Sequence, residues 1–224
     1  MIGPLEVADG VWVLAGAGRL STHPDDLRRS AALPQWRTER FLRGRGLLRG
    51  LLHTVAPPMA EAVIAPDGRG QPRLAGFPRA GISISHSDGA AACAFAPGRP
   101  TGVDLQHPSE SAGLVLARRL LRSHAPRVLA LPPARAAREV AWVWTAQEAC
   151  VKAAGTGLAG RPWEIDVPPG RRTGHWGTYR WISLRDVSDT PLSCAFGPPP
   201  RPARPSAADN GPRAHTLAKG MSDT

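Results

Sequence analysis

Hydrophobic positions in this chain alternate with polar ones over short runs and recur at helical spacing over two longer stretches. Residues 11–14 (Val-Trp-Val-Leu) read as a short buried strand, and Ser21-Thr22-His23-Pro24-Asp25-Asp26 as a loop leading into a helix start. From Pro34 onward, Phe41, Leu47, Leu48, Leu51 and Leu52 are interleaved with arginines, which predicts an amphipathic helix with one strongly basic face. Gly44, Gly46 and Gly50 lower helix propensity there, pointing to close packing or close approach of a ligand. Residues 65–73 carry turn chemistry. Residues 81–87 (Gly-Ile-Ser-Ile-Ser-His-Ser) alternate, predicting a half-buried strand that ends in polar residues; residues 90–95 predict a second strand. After Pro97-Gly98-Arg99-Pro100, a further strand over residues 101–106 places Asp104 and Gln106 on one face and Val103 and Leu105 on the other.

Residues 114–131 read as helical, with a break at Ser123-His124-Ala125-Pro126. Pro132-Pro133 then opens the strongest helix, residues 134–154, closed by Gly155-Thr156-Gly157. Trp144, Glu148 and Lys152 share one stripe of it. Strands are expected at residues 163–167, 179–184 and 192–196, and the Pro-rich text from Gly197 reads as disorder. The whole is an α+β pattern. Cys93-Ala94-Phe95-Ala96-Pro97 echoes Cys194-Ala195-Phe196-Gly197-Pro198. Two related halves, residues 1–100 and 101–197, followed by a tail at 198–224, would produce that echo; so would chance in an Ala-rich sequence.

The net charge is +10, and of 28 Lys and Arg residues only Lys152 and Lys219 are lysine. Such a surface attracts an acidic partner. Nucleic acid lacks its usual supports: there is no zinc-ligand spacing and no run of aromatic and basic residues. Cys93, Cys150 and Cys194 lie in apolar segments and read as buried thiols rather than a disulfide framework. No stretch approaches the ~20 apolar residues of a membrane span, and no secretory signal pattern opens the chain. A cytoplasmic protein with no membrane or nucleic-acid partner is the expectation.

Three patches carry candidate chemistry. Asp104 and Glu148 are hard-oxygen donors, and two carboxylates with substrate phosphates are how proteins commonly hold magnesium. Ser85 and His86, at a strand end, suit a phosphate. The arginines from Arg37 to Arg49 offer bidentate anion anchors. Lys152, one helical turn after Glu148, is a compact ammonium amid a chain that otherwise uses arginine. Taken singly, each has an ordinary structural reading: a surface aspartate, a satisfied histidine, a solvated basic face, an i,i+4 pair. Together they describe phosphoryl-type transfer.

Their order along the chain adds to this. Ile82-Ser83-Ile84-Ser85-His86-Ser87, then Gly102-Val103-Asp104-Leu105-Gln106, then Trp144-Thr145-Ala146-Gln147-Glu148-Ala149-Cys150-Val151-Lys152-Ala153-Ala154-Gly155-Thr156-Gly157-Leu158 resembles the 4′-phosphopantetheinyl transferase superfamily, surfactin-synthetase type, over residues 37–158. The resemblance implies two similar, pseudo-twofold-related α+β halves with the active site at their interface. It implies transfer of the phosphopantetheine arm of coenzyme A to a serine of an acidic acyl, peptidyl or aryl carrier protein, with Mg²⁺, by a monomer. Asp104 and Glu148 then correspond to metal ligands, Glu148 also to the base, and Lys152 to the group that neutralises or protonates departing 3′,5′-ADP. Ser85, His86, Arg45 and, more loosely, Arg37 correspond to coenzyme A contacts. Gln71 and Arg73 stand nearest to a further contact in the Gly70-Gln71-Pro72 turn. Gln106 replaces an acid of the family pattern, keeping an amide oxygen for the metal but one negative charge fewer, and Gln147 replaces a lysine. A relative that binds coenzyme A or carrier without transfer is the alternative these departures suggest.

Overall fold

Two antiparallel four-stranded sheets and two long helices account for most of the architecture seen in a computed structural model, which describes residues 2–109 and 114–199. The elements of the first stretch are β1 (Ile2–Ala8), β2 (Val11–Gly16), α1 (Pro24–Ser30), α2 (Gln35–Val55), β3 (Ile64–Pro66), β4 (Pro72–Leu74), β5 (Gly81–Ser87), β6 (Ala90–Ala96) and β7 (Thr101–Leu105). Those of the second are α3 (Leu114–Leu121), α4 (Ala125–Leu129), α5 (Pro133–Ala154), β8 (Thr173–Trp176), β9 (Tyr179–Ser183) and β10 (Leu192–Phe196). The fold is mixed α+β. One sheet has the order β1-β2-β6-β5, the other β7-β10-β9-β8, and β3 and β4 form a separate hairpin. Residues 200–224, with most of the expected Pro-rich tail and Lys219, lie outside the described residues. Among the described residues no helix is long and apolar enough to cross a membrane.

The cores follow from strand alternation. Val11, Val13, Ala92 and Ala94 of the first sheet pack with Val103, Leu192 and Cys194 of the second. The opposite face of the first sheet, with Cys93 and Phe95, receives Leu47, Leu48, Leu51 and Leu52 of α2. Ala195 and Trp181 of the second sheet meet Val143, Ala146 and Cys150 of α5. Burial pushes all three cysteine thiols up, which leaves them as unreactive core groups.

Three expectations are corrected. Residues 163–167 form no strand: Pro162–Glu164 is a 3-10 turn, and Ile165 and Val167 alternate toward α5 because they dock on a helix, not because a neighbouring strand pairs with them. The edge strand is instead β8, paired to β9. Strand β1, for which the sequence analysis named no element, pairs with β2 through a shifting register. Helix α2 has no single solvated basic face, because Arg45 and Arg49 turn inward and are buried. Finally, it is the serine face of β5 that is buried, while Ile84 and His86 on its other face are half-buried. Its polar residues meet β7: Val103 N–H donates to Ser83 Oγ (3.1 Å), Leu105 N–H to Ser85 Oγ (3.2 Å) and His107 N–H to Ser87 Oγ (2.9 Å). Ser83, Ser85 and Ser87 thus satisfy alternate amides of β7 and of the segment just after it, and the serine motif joins the two sheets.

Candidate active site

Helix α5 delivers two of the candidate residues by its periodicity, and its close approach to β7 delivers them to the third. A Cβ on Gly102 would overlap the carbonyl oxygen of Ala149 and the amide nitrogen of Ala153, so only glycine lets the helix lie directly on the strand. The helix ends with Gly155 in the left-handed region (φ 71°), Gly155 N–H donating to Lys152 O and Thr156 N–H to Val151 O. Lys152 therefore lies in the last turn, where a cation also complements the helix dipole.

The Lys152 ammonium donates to Asp104 Oδ1 (2.5 Å), to the Val103 carbonyl (3.3 Å) and to Ser85 Oγ (3.4 Å). Ser85 Oγ in turn donates to Asp104 Oδ1 (2.8 Å). Asp104, Lys152 and Ser85, each from a different sequence motif, thus meet at one point. Both partners of Asp104 use the same oxygen, and no protein group is bonded to Oδ2 among the described residues. Glu148 is half-buried, and its Oε1 is buried without a partner. Burial pushes its carboxyl above the ordinary range; the Lys152 charge opposes the shift and the Asp104 charge adds to it. Gln106 donates through Nε2 to the His107 carbonyl (3.1 Å). No group of three or more His, Cys, Asp or Glu residues suited to a metal gathers among the described residues. The two carboxylates, Asp104 and Glu148, each with an oxygen that bonds no protein group among the described residues, fit a hard divalent cation that keeps waters and phosphate oxygens as its other ligands.

The β3–β4 hairpin closes over the end of α5. Gln71 Nε2 donates to the Lys152 carbonyl (2.6 Å), Arg73 Nη2 donates to Gln71 Oε1 (3.2 Å), and Arg69 Nη1 donates to Gly155 O (3.4 Å). Between hairpin, β5 and helix end lies a cavity of about 620 Å³, lined by Arg69, Gln71, Ser83, Ile84, Lys152 and Thr156 among others. Adjoining it, and sharing Gly70, Pro72 and Ile84, is a cavity of about 190 Å³ that Phe41, Arg45 and His86 also line. Arg45 Nη1 and His86 Nε2 are both buried without a protein partner. Burial pulls His86 down to about 4, with the Arg40 and Lys152 charges acting in the same direction. The imidazole is therefore neutral at pH 7.

Arg37 is exposed at the first turn of α2, over the Trp36 ring, and makes no contact with these groups. Gln147 is fully buried on another face of α5, where Nε2 donates to the carbonyls of Leu120 (3.0 Å) and Ile165 (2.9 Å). Arg40, one of the arginines in the 37–49 stretch offered as anion anchors, donates to the His86 carbonyl (3.4 Å), whereas sequence reasoning missed Arg69 at the cavity mouth. One turn after Arg40, a Cβ on Gly44 would overlap the His86 ring, so α2 passes close against β5 there. Compared against protein-family models and against curated proteins, the chain matches none.

Proposed function

We propose that this protein is a magnesium-dependent 4′-phosphopantetheinyl transferase acting from coenzyme A on a carrier-protein serine. The observation that carries the reading is the meeting of Asp104, Ser85 and Lys152 within 2.5–3.4 Å, with Glu148 electrostatically coupled to the same pair and a nucleotide-sized cavity at Lys152. Asp104, Glu148 and the carboxamide oxygen of Gln106 would hold magnesium, which when bound neutralises the diphosphate.

The residues of the chain supply the rest. The carrier serine oxygen forms a bond to the phosphorus of the pantetheine phosphate, the diphosphate P–O bond breaks, and 3′,5′-ADP leaves. Glu148, with its raised affinity for protons, takes the serine proton directly or through water. Lys152 neutralises or protonates the leaving phosphate. Arg45 and His86, each with an unpartnered buried nitrogen, contact a coenzyme A phosphate, and Gln71 holds the end of α5 against the nucleotide cavity.

The two sheets, each with one long helix on it, and the matching interior places of β6 and β10 support a reading as two pseudo-twofold halves with the site at their junction. A cytoplasmic monomer with an acidic carrier as partner fits the +10 charge. One observation favours a second reading: Gln106 removes a charge from the metal site and turns its amide nitrogen to His107, as expected of a relative that binds coenzyme A without transfer.

Incubation with coenzyme A, Mg²⁺ and a panel of apo acyl, peptidyl and aryl carrier proteins, followed by intact-mass analysis, tests the proposal. One phosphopantetheine added to a carrier serine is the expected result. Coenzyme A binding with no mass gain on any carrier favours the weakened relative. No response to coenzyme A with tight, salt-dependent DNA binding overturns both.

A further inference from the structure

We propose that Asp26, a buried residue outside the reacting groups, is the positioning residue for the phosphate contact at Arg45. The inference rests on the reading of Arg45 and His86 as coenzyme A contacts and adds the residue that sets the guanidinium in place.

Asp26 lies in α1 with none of its surface exposed. Its Oδ2 accepts from Ser21 Oγ (2.7 Å) and from Arg49 Nε (2.7 Å). Arg49 Nη1 is fixed further by the carbonyls of Ala60 (2.6 Å) and Ala62 (3.3 Å). These directional bonds lock Asp26 and Arg49 and dock α1 on α2.

The structure places a second guanidinium there. Arg45, one turn before Arg49, approaches the other carboxylate oxygen, Nε lying 3.9 Å from Asp26 Oδ1, and stacks over the Phe41 ring at 4.9 Å. Arg45 is only 6% exposed. Two buried guanidiniums therefore share one carboxylate, which leaves an excess positive charge away from water, a costly arrangement unless an anion completes it. Three atoms of this cluster are buried without a partner, Asp26 Oδ1, Arg49 Nη2 and Arg45 Nη1, and of these residues it is Arg45 that lines, with His86, the cavity of about 190 Å³. His86 is neutral and supplies no charge of its own. Asp26 thus attracts the Nε edge of the planar fork through charge, at a distance beyond a hydrogen bond, and the Nη edge is left for a phosphate. Burial pulls the Arg45 guanidinium down to about 10, and Asp26 is the largest influence opposing that pull.

The test is a double-mutant cycle read by calorimetric affinity for 3′,5′-ADP, using the wild type, Asp26→Asn, Arg45→Gln and the double variant. Asp26→Asn should weaken binding about tenfold, Arg45→Gln at least as much, and Asp26→Asn should cost nothing further in the Arg45→Gln background. Losses that simply add, or an unchanged affinity in Asp26→Asn, overturn the inference, since a residue that only supports the fold would not act through Arg45. Ser21→Ala keeps the charge and removes one bond to Asp26. It should give a smaller loss that also vanishes in the Arg45→Gln background, and it decides the matter if Asp26→Asn does not fold. A wild type that fails to bind 3′,5′-ADP at all refutes the proposed function itself, and this inference with it.

Discussion

Glu148 combines a buried, unpartnered carboxylate oxygen with a proton affinity raised by burial. In the metal-free protein the folded state holds that proton more tightly than the unfolded chain, so stability falls as pH rises above the ordinary carboxylate range toward the raised value. Glu148→Gln, which removes the buried charge at constant shape, should raise the melting temperature at pH 7 while abolishing transfer; a lower melting temperature would contradict the electrostatic reading. His86 behaves in the opposite sense. Its folded value of about 4 lies below the ordinary 6.5, so the unfolded chain binds more protons and stability is lost as pH falls through that interval. A phosphate bound beside it restores the charged form. Binding of 3′,5′-ADP at pH 5.5 should therefore take up a proton, seen as a calorimetric heat that varies with buffer ionisation enthalpy, and His86→Asn should remove that dependence. At this scale the three motifs, far apart in sequence, supply Asp104, Ser85 and Lys152 to one hydrogen-bonded cluster. Gln147 shows the limit. It adjoins Glu148 in sequence but lies about 100° around the helix, and its amide satisfies the carbonyls of Leu120 and Ile165 instead of facing the site.

Among the elements, α5 was legible almost to the residue, since Pro133 and Gly155 mark its ends by backbone chemistry alone. The strand expected at residues 163–167 was not there, because alternation reports a buried face and cannot say whether a sheet or a helix covers it. For the same reason β5 looked half-exposed: its serines read as solvent-facing, whereas they accept the amides of β7. Helix α2 hid its inward arginines since nothing local in the sequence marks Asp26 as their partner. The α5–β7 contact makes a prediction. Gly102→Ala would force the helix away from the strand, costing about 1–3 kcal/mol of stability and separating Lys152 from Asp104. Transfer should fall more steeply than stability accounts for, measured as turnover against denaturant midpoint; unchanged turnover would show that this contact does not set the site.

The whole molecule brings the edge strands β5 and β7 of two sheets together through the serine ladder, and the candidate residues collect around that seam. The α+β class and the places along the chain of β2, β5, β6, β7, β9 and β10 could be read from the sequence; the way the sheets share a core could not, because it depends on residues such as Val13 and Cys194 that are distant in sequence. The +10 charge belongs to this scale as well. With an acidic carrier protein, the association rate should fall steeply as salt is raised from 50 to 500 mM, by roughly tenfold or more, while single-turnover chemistry at saturating carrier stays nearly constant. A salt-independent encounter would remove the explanation offered for the charge.

The central claim is that Asp104, Glu148 and Lys152 serve one phosphoryl transfer, and single-turnover transfer to an apo carrier tests it most directly. With coenzyme A and Mg²⁺ in excess, the wild type should convert the carrier, while Lys152→Ala and Glu148→Ala should each be slower by roughly 10²–10⁴ with an unchanged circular-dichroism spectrum. Near-wild-type transfer by either folded variant would contradict the account.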